Sequence, residues 1–413
     1  MSDNQPFNFL AVLRGRSGNI VGQVHHKNYC LSERSESKAY TKKILIFSTA
    51  YFPLIGGAEV AVKEIIQRLP DWQFDLVTAK IQPGLAKFER IGNVNVYRIG
   101  FGLKLDKLLL PFFGLLRAIR LEQKNHYDLT WSIMASFGGF LGLFFKYLHP
   151  QKPWLLTLQE GDPPKEILKK VGFLKPLFKQ IFRRADYIQA ISSFLANWAK
   201  KMGAKCPIKV VPNGVDISRF RGKRLNSPFN LGIKPNEKII ITVSRLVKKN
   251  GVDDLIKAGQ YLNFPFKILI VGSGPEESKL KKLVQDLNLQ EKVIFLGHIP
   301  HENLPQYLSL ADVFVRPSLS EGLGNAFLEA MAVGVPVIGT AVGGIPDFLK
   351  DKETGLFCQV NQPADIAKKI KIILEENTLR EKIISQARKL VQEQYQWESI
   401  AQKMENIFLN LID

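Results

Sequence analysis

Pro317-Ser318-Leu319-Ser320-Glu321-Gly322-Leu323-Gly324-Asn325-Ala326-Phe327-Leu328-Glu329-Ala330-Met331-Ala332 decides how the rest of this 413-residue chain is read. It follows the apolar run Val313-Phe314-Val315, which has the length of a buried strand. The spacing predicts a strand, a glycine-rich loop and a helix that begins near Asn325. Free backbone N–H groups at such a helix start form an anion site, and Gly322 and Gly324, on either side of Leu323, let a phosphate approach closely. Glu321 lies in the loop and Glu329 on the helix, with seven residues between them. Open α/β sheets bind ligands beyond the C-terminal ends of their strands, so both carboxylates are expected to face that end. A carboxylate accepting two hydroxyl hydrogen bonds suits a ribose or sugar diol, each charged bond being worth about 1.5–3 kcal/mol. Either glutamate alone reads as a solvated surface acid. The Gly-Leu-Gly-Asn loop, and Val333-Gly334-Val335-Pro336 leading to a new strand, make the combination specific.

The same alternation extends in both directions. Upstream, Ile44-Leu45-Ile46-Phe47 suits a strand buried on both faces, and Gly56-Gly57 leads into a helix-like stretch from Ala58 to Leu69. Strands are predicted at 74–77, 94–99, 129–133, 154–158, 187–191 and 208–211. The pattern restarts at 239–243 and continues at 266–271, 293–296, 313–315 and 336–338. Apolar strands separated by helix-length segments imply parallel sheets covered by helices. The expected organisation is a disordered extension over 1–41, one α/β domain over 42–225, a second over 226–395, and a C-terminal helix over 396–413. That helix carries Ile400, Met404, Ile407 and Phe408 on one side and is expected to pack back toward the first domain.

Bulk properties narrow the function classes. The chain has 57 basic and 38 acidic residues and a net charge of +19, which favours anionic partners. No nucleic-acid recognition motif accompanies that charge, so nucleic acid is not an expected partner. Cys30, Cys206 and Cys358 are odd in number and widely spaced, which argues against a disulfide framework and for a reducing cytoplasm. The six histidines form no metal-ligand pair, and no metal site is expected. No signal peptide is expected from the first residues. The uncharged run Leu129 to Phe145 approaches a membrane-spanning length but is broken by Gly138, Gly139 and Gly142, so it reads as a strand leading into a helix.

The motif at 321–329 resembles the E-x7-E motif of the family 4 retaining glycosyltransferases, which have the GT-B fold of two Rossmann-like, doubly wound domains facing across a cleft. The resemblance runs from Lys43 to the C-terminus and includes Gly56-Gly57-Ala58-Glu59, Val211-Pro212-Asn213-Gly214-Val215-Asp216, Ser244-Arg245-Leu246, Val271-Gly272-Ser273-Gly274-Pro275 and Gly343-Gly344-Ile345-Pro346-Asp347. It implies that Glu329 holds the ribose of a nucleotide-sugar donor, Glu321 the donor sugar, and Arg245 the diphosphate. It also implies that Gly56 and Gly57 admit the phosphate and acceptor, with Gly322, Leu323, Gly324 and Asn325 lining the donor. The nucleotide sugar, UDP- or GDP-linked, is then a substrate, and no cofactor is expected.

Two positions depart from the family. Asn250 stands where a lysine usually precedes the glycine, with Lys249 and Lys248 beside it as substitutes. Gln159 stands where a histidine often lies near the donor sugar, and neighbouring Glu160 or Asp162 would orient the acceptor. Gly272-Ser273-Gly274 lacks the third glycine of a dinucleotide fingerprint, Glu277 standing there, and reads as a turn packing the strand end against its helix, with Gly272 counted among the donor-binding residues that the resemblance implies. Two rival readings are a nucleotide-sugar epimerase of the same fold and a catalytically idle nucleotide-sugar-binding or membrane scaffold protein.

Two stretches of the first domain are both basic and apolar. Residues 101–121 carry Lys104, Lys107, Arg117 and Arg120, and residues 165–184 carry Lys169, Lys170, Lys175 and Lys179 among leucines and phenylalanines. Such helices suit an anionic membrane surface or, alternatively, a core with solvated basic faces. The expected location is the cytoplasm, with peripheral attachment to the inner face of the cell membrane and a glycan or lipid-linked sugar as acceptor.

Overall fold

The computed structural model describes residues 41–54, 56–220 and 231–413. The extension expected over 1–41 lies outside the described residues except for Thr41, and so does the expected domain boundary at 225/226. The first sheet contains β1 (Lys43–Phe47), β2 (Gln73–Ala79), β3 (Phe88–Ile91), β4 (Val94–Ile99), β5 (Leu129–Ile133), β6 (Trp154–Leu158), β7 (Tyr187–Ala190) and β8 (Ile208–Val210). Their spatial order is β3-β4-β2-β1-β5-β6-β7-β8, parallel throughout except for the β3–β4 hairpin. Its helices are α1 (Gly57–Gln67), α2 (Asp106–Asn125), α3 (Phe137–Leu148), α4 (Pro164–Val171), α5 (Lys175–Arg184), α6 (Ser193–Lys201) and the short α7 (Ile217–Phe220).

The second sheet contains β9 (Lys238–Val243), β10 (Phe266–Val271), β11 (Val293–Gly297), β12 (Val313–Arg316), β13 (Val337–Thr340) and β14 (Leu356–Cys358). All its pairings are parallel, in the order β11-β10-β9-β12-β13-β14. Its helices are α8 (Val252–Ala258), α9 (Glu277–Asp286), α10 (Leu304–Leu308), α11 (Asn325–Val333), α12 (Pro363–Glu375) and α13 (Asn377–Gln394), followed by α14 (Trp397–Ile412). In this doubly wound order the connections change direction between β9 and β12. The loops after those two strands therefore part and leave a crevice.

Helices on both faces explain why the central strands are apolar. Ile44 to Phe47 are fully buried, as are Val313 to Val315. The glycines that interrupt the Leu129–Phe145 run are there for close packing. A Cβ on Gly138 would lie 2.8 Å from the Phe47 carbonyl oxygen, and one on Gly142 would lie 2.2 Å from Ser132 Oγ. They let α3 press against β1 and β5. Among the described residues no helix is long and apolar enough to cross a membrane. Strands β3 and β14 were not expected. The first is a half-exposed four-residue edge strand and the second has only three residues.

The chain crosses between the two sheets twice, and the crossings touch. Val215 donates its N–H to the Tyr395 carbonyl at 2.6 Å and forms a bridge with Gln396. Gly214 lies so close to Trp397 that a Cβ would fall 2.7 Å from the indole. Beyond the second crossing, α14 lies on the first sheet. Phe408 packs between Trp72 (5.6 Å between ring centroids) and Trp131 (5.2 Å), while Trp72 Nε1 donates to Glu405 at 3.0 Å. Phe408 is fully buried, so Phe408→Ala should lower stability by about 3–5 kcal/mol. A urea titration followed by tryptophan fluorescence checks this, and an unchanged midpoint would mean α14 is not part of the cooperative fold.

Candidate active site

The site forms where the C-terminal ends of the two sheets face each other. On the second sheet, Arg316 ends β12 almost buried and needs anionic or acceptor partners there. Its guanidinium pairs with the Glu321 carboxylate and donates to Asn250 Oδ1 at 3.2 Å. Asn250 Nδ2 in turn donates to the Arg245 carbonyl at 2.6 Å. A continuous polar chain thus joins the loop after β9 to the loop after β12 across the crevice. Glu321 also accepts from the Gly322 amide at 3.1 Å, and its own carbonyl receives the Gly344 amide at 3.2 Å.

This arrangement redefines Asn250. The expectation that it borders the donor is corrected: its side chain is 2% exposed, points inward, and is committed at both ends. Residues 248–250 form one tight 3-10 turn, stopped by Gly251 at φ +65°. Successive side chains in such a turn diverge steeply. Lys249 therefore points across the cleft, where Nζ donates to Asp162 Oδ1 at 2.9 Å, while Lys248 points elsewhere. Burial pushes the Asp162 carboxyl up, but Lys170 and Lys249 outweigh it and hold the group below its ordinary range. Arg245 is exposed and its guanidinium has no partner among the described residues.

Helix α11 begins at Asn325, preceded by Gly324 at φ +105°. It faces the start of α1, for a Cβ on Gly57 would lie 3.5 Å from Asn325 Nδ2. Two helix N-termini converge there, and their partial positive charges add. Gly56 is placed differently from the expectation. Glu59 folds back so that its carboxylate meets the Gly56 amide, and burial pushes its pKa up against the pull of the Glu59 and Gly56 amides. Gly272 is a packing residue. Its N–H donates to the Gly297 carbonyl at 2.7 Å, and a Cβ would fall 2.0 Å from the Ser244 carbonyl oxygen. Its amide is therefore not free for a donor.

The two domains touch at the floor of the cleft. Asn213 Nδ2 bridges Gln159 Oε1 (3.2 Å) and Asn325 Oδ1 (3.3 Å), and Ser320 Oγ donates to the Gly161 carbonyl at 3.1 Å. A Cβ on Gly322 would fall 2.6 Å from the Glu160 carbonyl oxygen, so only glycine permits this closeness. Leu323 is buried beside it. Glu160 is itself buried, accepts from the Ala135 amide at 2.6 Å, and has its pKa pushed up to about 7 by burial. It ties the loops after β5 and β6 together.

Sequence reasoning missed the partners of Glu329. Its carboxylate meets His301 Nε2 at 2.8 Å, and Arg219 reaches His301 Nδ1 at 3.2 Å. His301 lies in the loop before α10 and Arg219 on α7, positions no local pattern distinguishes. Arg316 was legible only as the neighbour of a motif, and Asn213 only as a member of one with no role attached. Chemically, the crevice offers two largely buried carboxylates for hydroxyl groups, two cations, and two converging helix starts for a phosphate.

Residues 55–219 match the family model described as Glycosyltransferase Family 4, and residues 223–390 match Glycosyl transferases group 1. An uncharacterized glycosyltransferase of Methanocaldococcus jannaschii is 33% identical over 397 residues, covering 89% of this chain and 97% of its own length. The GDP-mannose-dependent alpha-(1-6)-phosphatidylinositol monomannoside mannosyltransferase of Mycobacterium tuberculosis is 30% identical over 256 residues, 57% of this chain and 66% of its own. Among solved structures, the sucrose-phosphate synthase of Thermosynechococcus elongatus superimposes with a TM-score of 0.78 at 25% identity, covering 90% of this chain and 99% of that one. Two facing parallel sheets, the crevice between them and these matches together place the chain in family 4 of the glycosyltransferases, with the GT-B fold.

Proposed function

We propose that the protein is a retaining transferase that moves a sugar from a UDP- or GDP-sugar to a hydroxyl of a glycan or lipid-linked acceptor, with no resident metal. The observation that carries this reading is that Lys249 Nζ and Glu321 Oε1 both lie against Gly161 in the crevice where α11, which carries Glu329, and α1 start face to face. Glu329 would take the ribose hydroxyls and Glu321 those of the sugar. Arg245, Lys249 and the two helix starts would hold the diphosphate. As the bond from the anomeric carbon to the diphosphate breaks, negative charge grows on the leaving group, and preformed cations and amides stabilise it without reorganising. The acceptor hydroxyl would arrive on the same face, forming the new bond and giving its proton to the departing diphosphate.

Glu321 is poorly suited to attack the sugar itself, because Arg316 and the Gly322 amide already occupy its oxygens. That supports a front-face reaction over a double displacement through an enzyme-bound sugar. A lipid-linked acceptor is supported by the similarity to the mycobacterial mannosyltransferase, which acts on a phosphatidylinositol monomannoside.

The decisive assay incubates the protein with UDP-, GDP- and ADP-sugars, with and without a crude lipid extract, and follows free nucleoside diphosphate. Release from one donor, raised by the extract and lost in Glu329→Ala, is expected. Absence of both turnover and donor binding across the panel would overturn the reading. Arg245→Ala should lower turnover at least ten-fold, since losing ~1.4 kcal/mol of transition-state stabilisation is a factor of ten. Unchanged turnover would remove Arg245 from the site.

Donor binding should also depend on pH through His301. Its hydrogen bond to Glu329 raises the imidazole pKa, burial opposes this, and the nearby charges of Arg219 and Glu64 act in opposite directions. The protonated His301–Glu329 pair therefore exists below the raised pKa and is lost as pH rises through it. In this reading a ribose displaces His301 from Glu329, so nucleoside diphosphate affinity should rise as pH passes upward through the imidazole pKa, which lies above the ordinary histidine value of about 6.5. Calorimetric titration should show that His301→Ala flattens this rise; equal slopes in both proteins would exclude the competition.

A further inference from the structure

The first domain carries a surface that the transfer reaction does not use. Phe101, Phe112 and Phe173 are 78%, 64% and 91% exposed, and Leu105, Phe113 and Leu116 are also largely exposed. They belong to the loop after β4, to α2 and to the joint between α4 and α5. Helix α3 fills the space between α2 and α5. Its half-buried Phe144 lies 6.0 Å from Phe112, and its Phe140 lies 6.2 Å from Phe178 of α5, measured between ring centroids. The sole charge on α3, Lys146, is drawn off by Asp186. Aromatic rings thus run from Phe112 on α2 through Phe144 and Phe140 on α3 to Phe178 on α5, and the exposed phenylalanines and leucines lie on α2, on the loop before it and at the joint before α5.

The loop that carries Phe101, Leu103 and Leu105 is held firmly. Asp106 accepts the amides of Phe101, Gly102 and Leu103 at 2.8, 2.6 and 2.9 Å. Basic residues frame the patch: segments 101–121 and 164–184 contain eleven lysines and arginines against two acids, Asp106 and Glu166. Asp106 is buried and spent on the loop. The patch also borders the cleft, because Lys170 of α4 shares Asp162 with Lys249.

We propose that this face docks on an anionic lipid bilayer, with the phenylalanines entering the interface and the lysines meeting headgroup phosphates. So many large, exposed apolar side chains on one domain are unusual on a freely soluble surface. A second copy of the chain would bring eleven like charges against eleven. A nucleic acid would leave the phenylalanines uncovered. A bilayer satisfies both the apolar and the charged parts, as interfacial helices do.

The test is co-sedimentation of the full chain with vesicles at physiological salt. Vesicles of phosphatidylcholine containing phosphatidylglycerol should bind at least ten-fold better than phosphatidylcholine alone. Because each basic residue near such a surface contributes about five-fold, Lys104→Ala/Lys175→Ala should bind the anionic vesicles about twenty-five-fold more weakly. Phe112→Ser/Phe113→Ser/Phe173→Ser should lose binding while melting at or above the wild-type temperature, the residues being exposed. Equal binding to both vesicle types, or wild-type binding by the phenylalanine variant, would overturn the proposal. So would complete competition by millimolar glycerol phosphate, which would mean headgroup recognition without a bilayer. Lipid-free dimerisation abolished by the phenylalanine variant would assign the face to self-association instead.

Discussion

A guanidinium placed at the buried end of a central strand constrains the whole crevice. Arg316 cannot stay there without an anion, and the nearest is Glu321. That requirement fixes the loop after β12, because Glu321 must fold back beside its own strand and hand its carbonyl to Gly344. The second donor direction of Arg316 is met by Asn250, which reaches on to the Arg245 backbone. The Glu321 carboxylate is thereby positioned by the same ion pair that keeps the core from holding a bare charge. Site and stability are not separable at this point of the fold.

Much of this was legible in the sequence because the patterns involved are local. Runs such as Ile44–Phe47 and the glycine-broken stretch Leu129–Phe145 announce buried strands and a tightly packed helix through side-chain size alone. The two glutamates announce themselves through the loop and helix that carry them. Edge strand β3 and the three-residue β14 gave no such signal, since neither is long enough for a period to show. The direction of Asn250 was not legible either. It depends on a single tight turn stopped at Gly251, where one position decides between core and cleft. His301 and Arg219 reach Glu329 from separate loops, so only tertiary packing brings them together. At Gly56 and Gly272 the groups that come close, Glu59 and the Ser244 carbonyl, belong to the fold itself and carry no signal in the local sequence.

The contacts between the domains at the cleft floor are short but few and mostly polar: a shared asparagine, a serine hydroxyl, one lysine–aspartate pair. Such contacts exchange readily for contacts with water or ligand, unlike a packed apolar seam. Deeper in, the domains are joined by apolar packing that runs from Trp198 and Phe182 through Val215 and Phe220 to Phe314 and Phe327. The interface is thus weak where substrates enter and strong where the chain passes.

The paired crossings at Val215 and Tyr395–Gln396 set what kind of motion this construction permits. A single connecting segment would let one lobe swivel about its own axis as well as bend. Two segments lying side by side and hydrogen-bonded to each other behave like a strap hinge, yielding in one plane and resisting rotation in the others. Bending in that plane separates residues 159–162 from 320–325 without changing which of them face each other. Register across the cleft is therefore set by the covalent path of the chain.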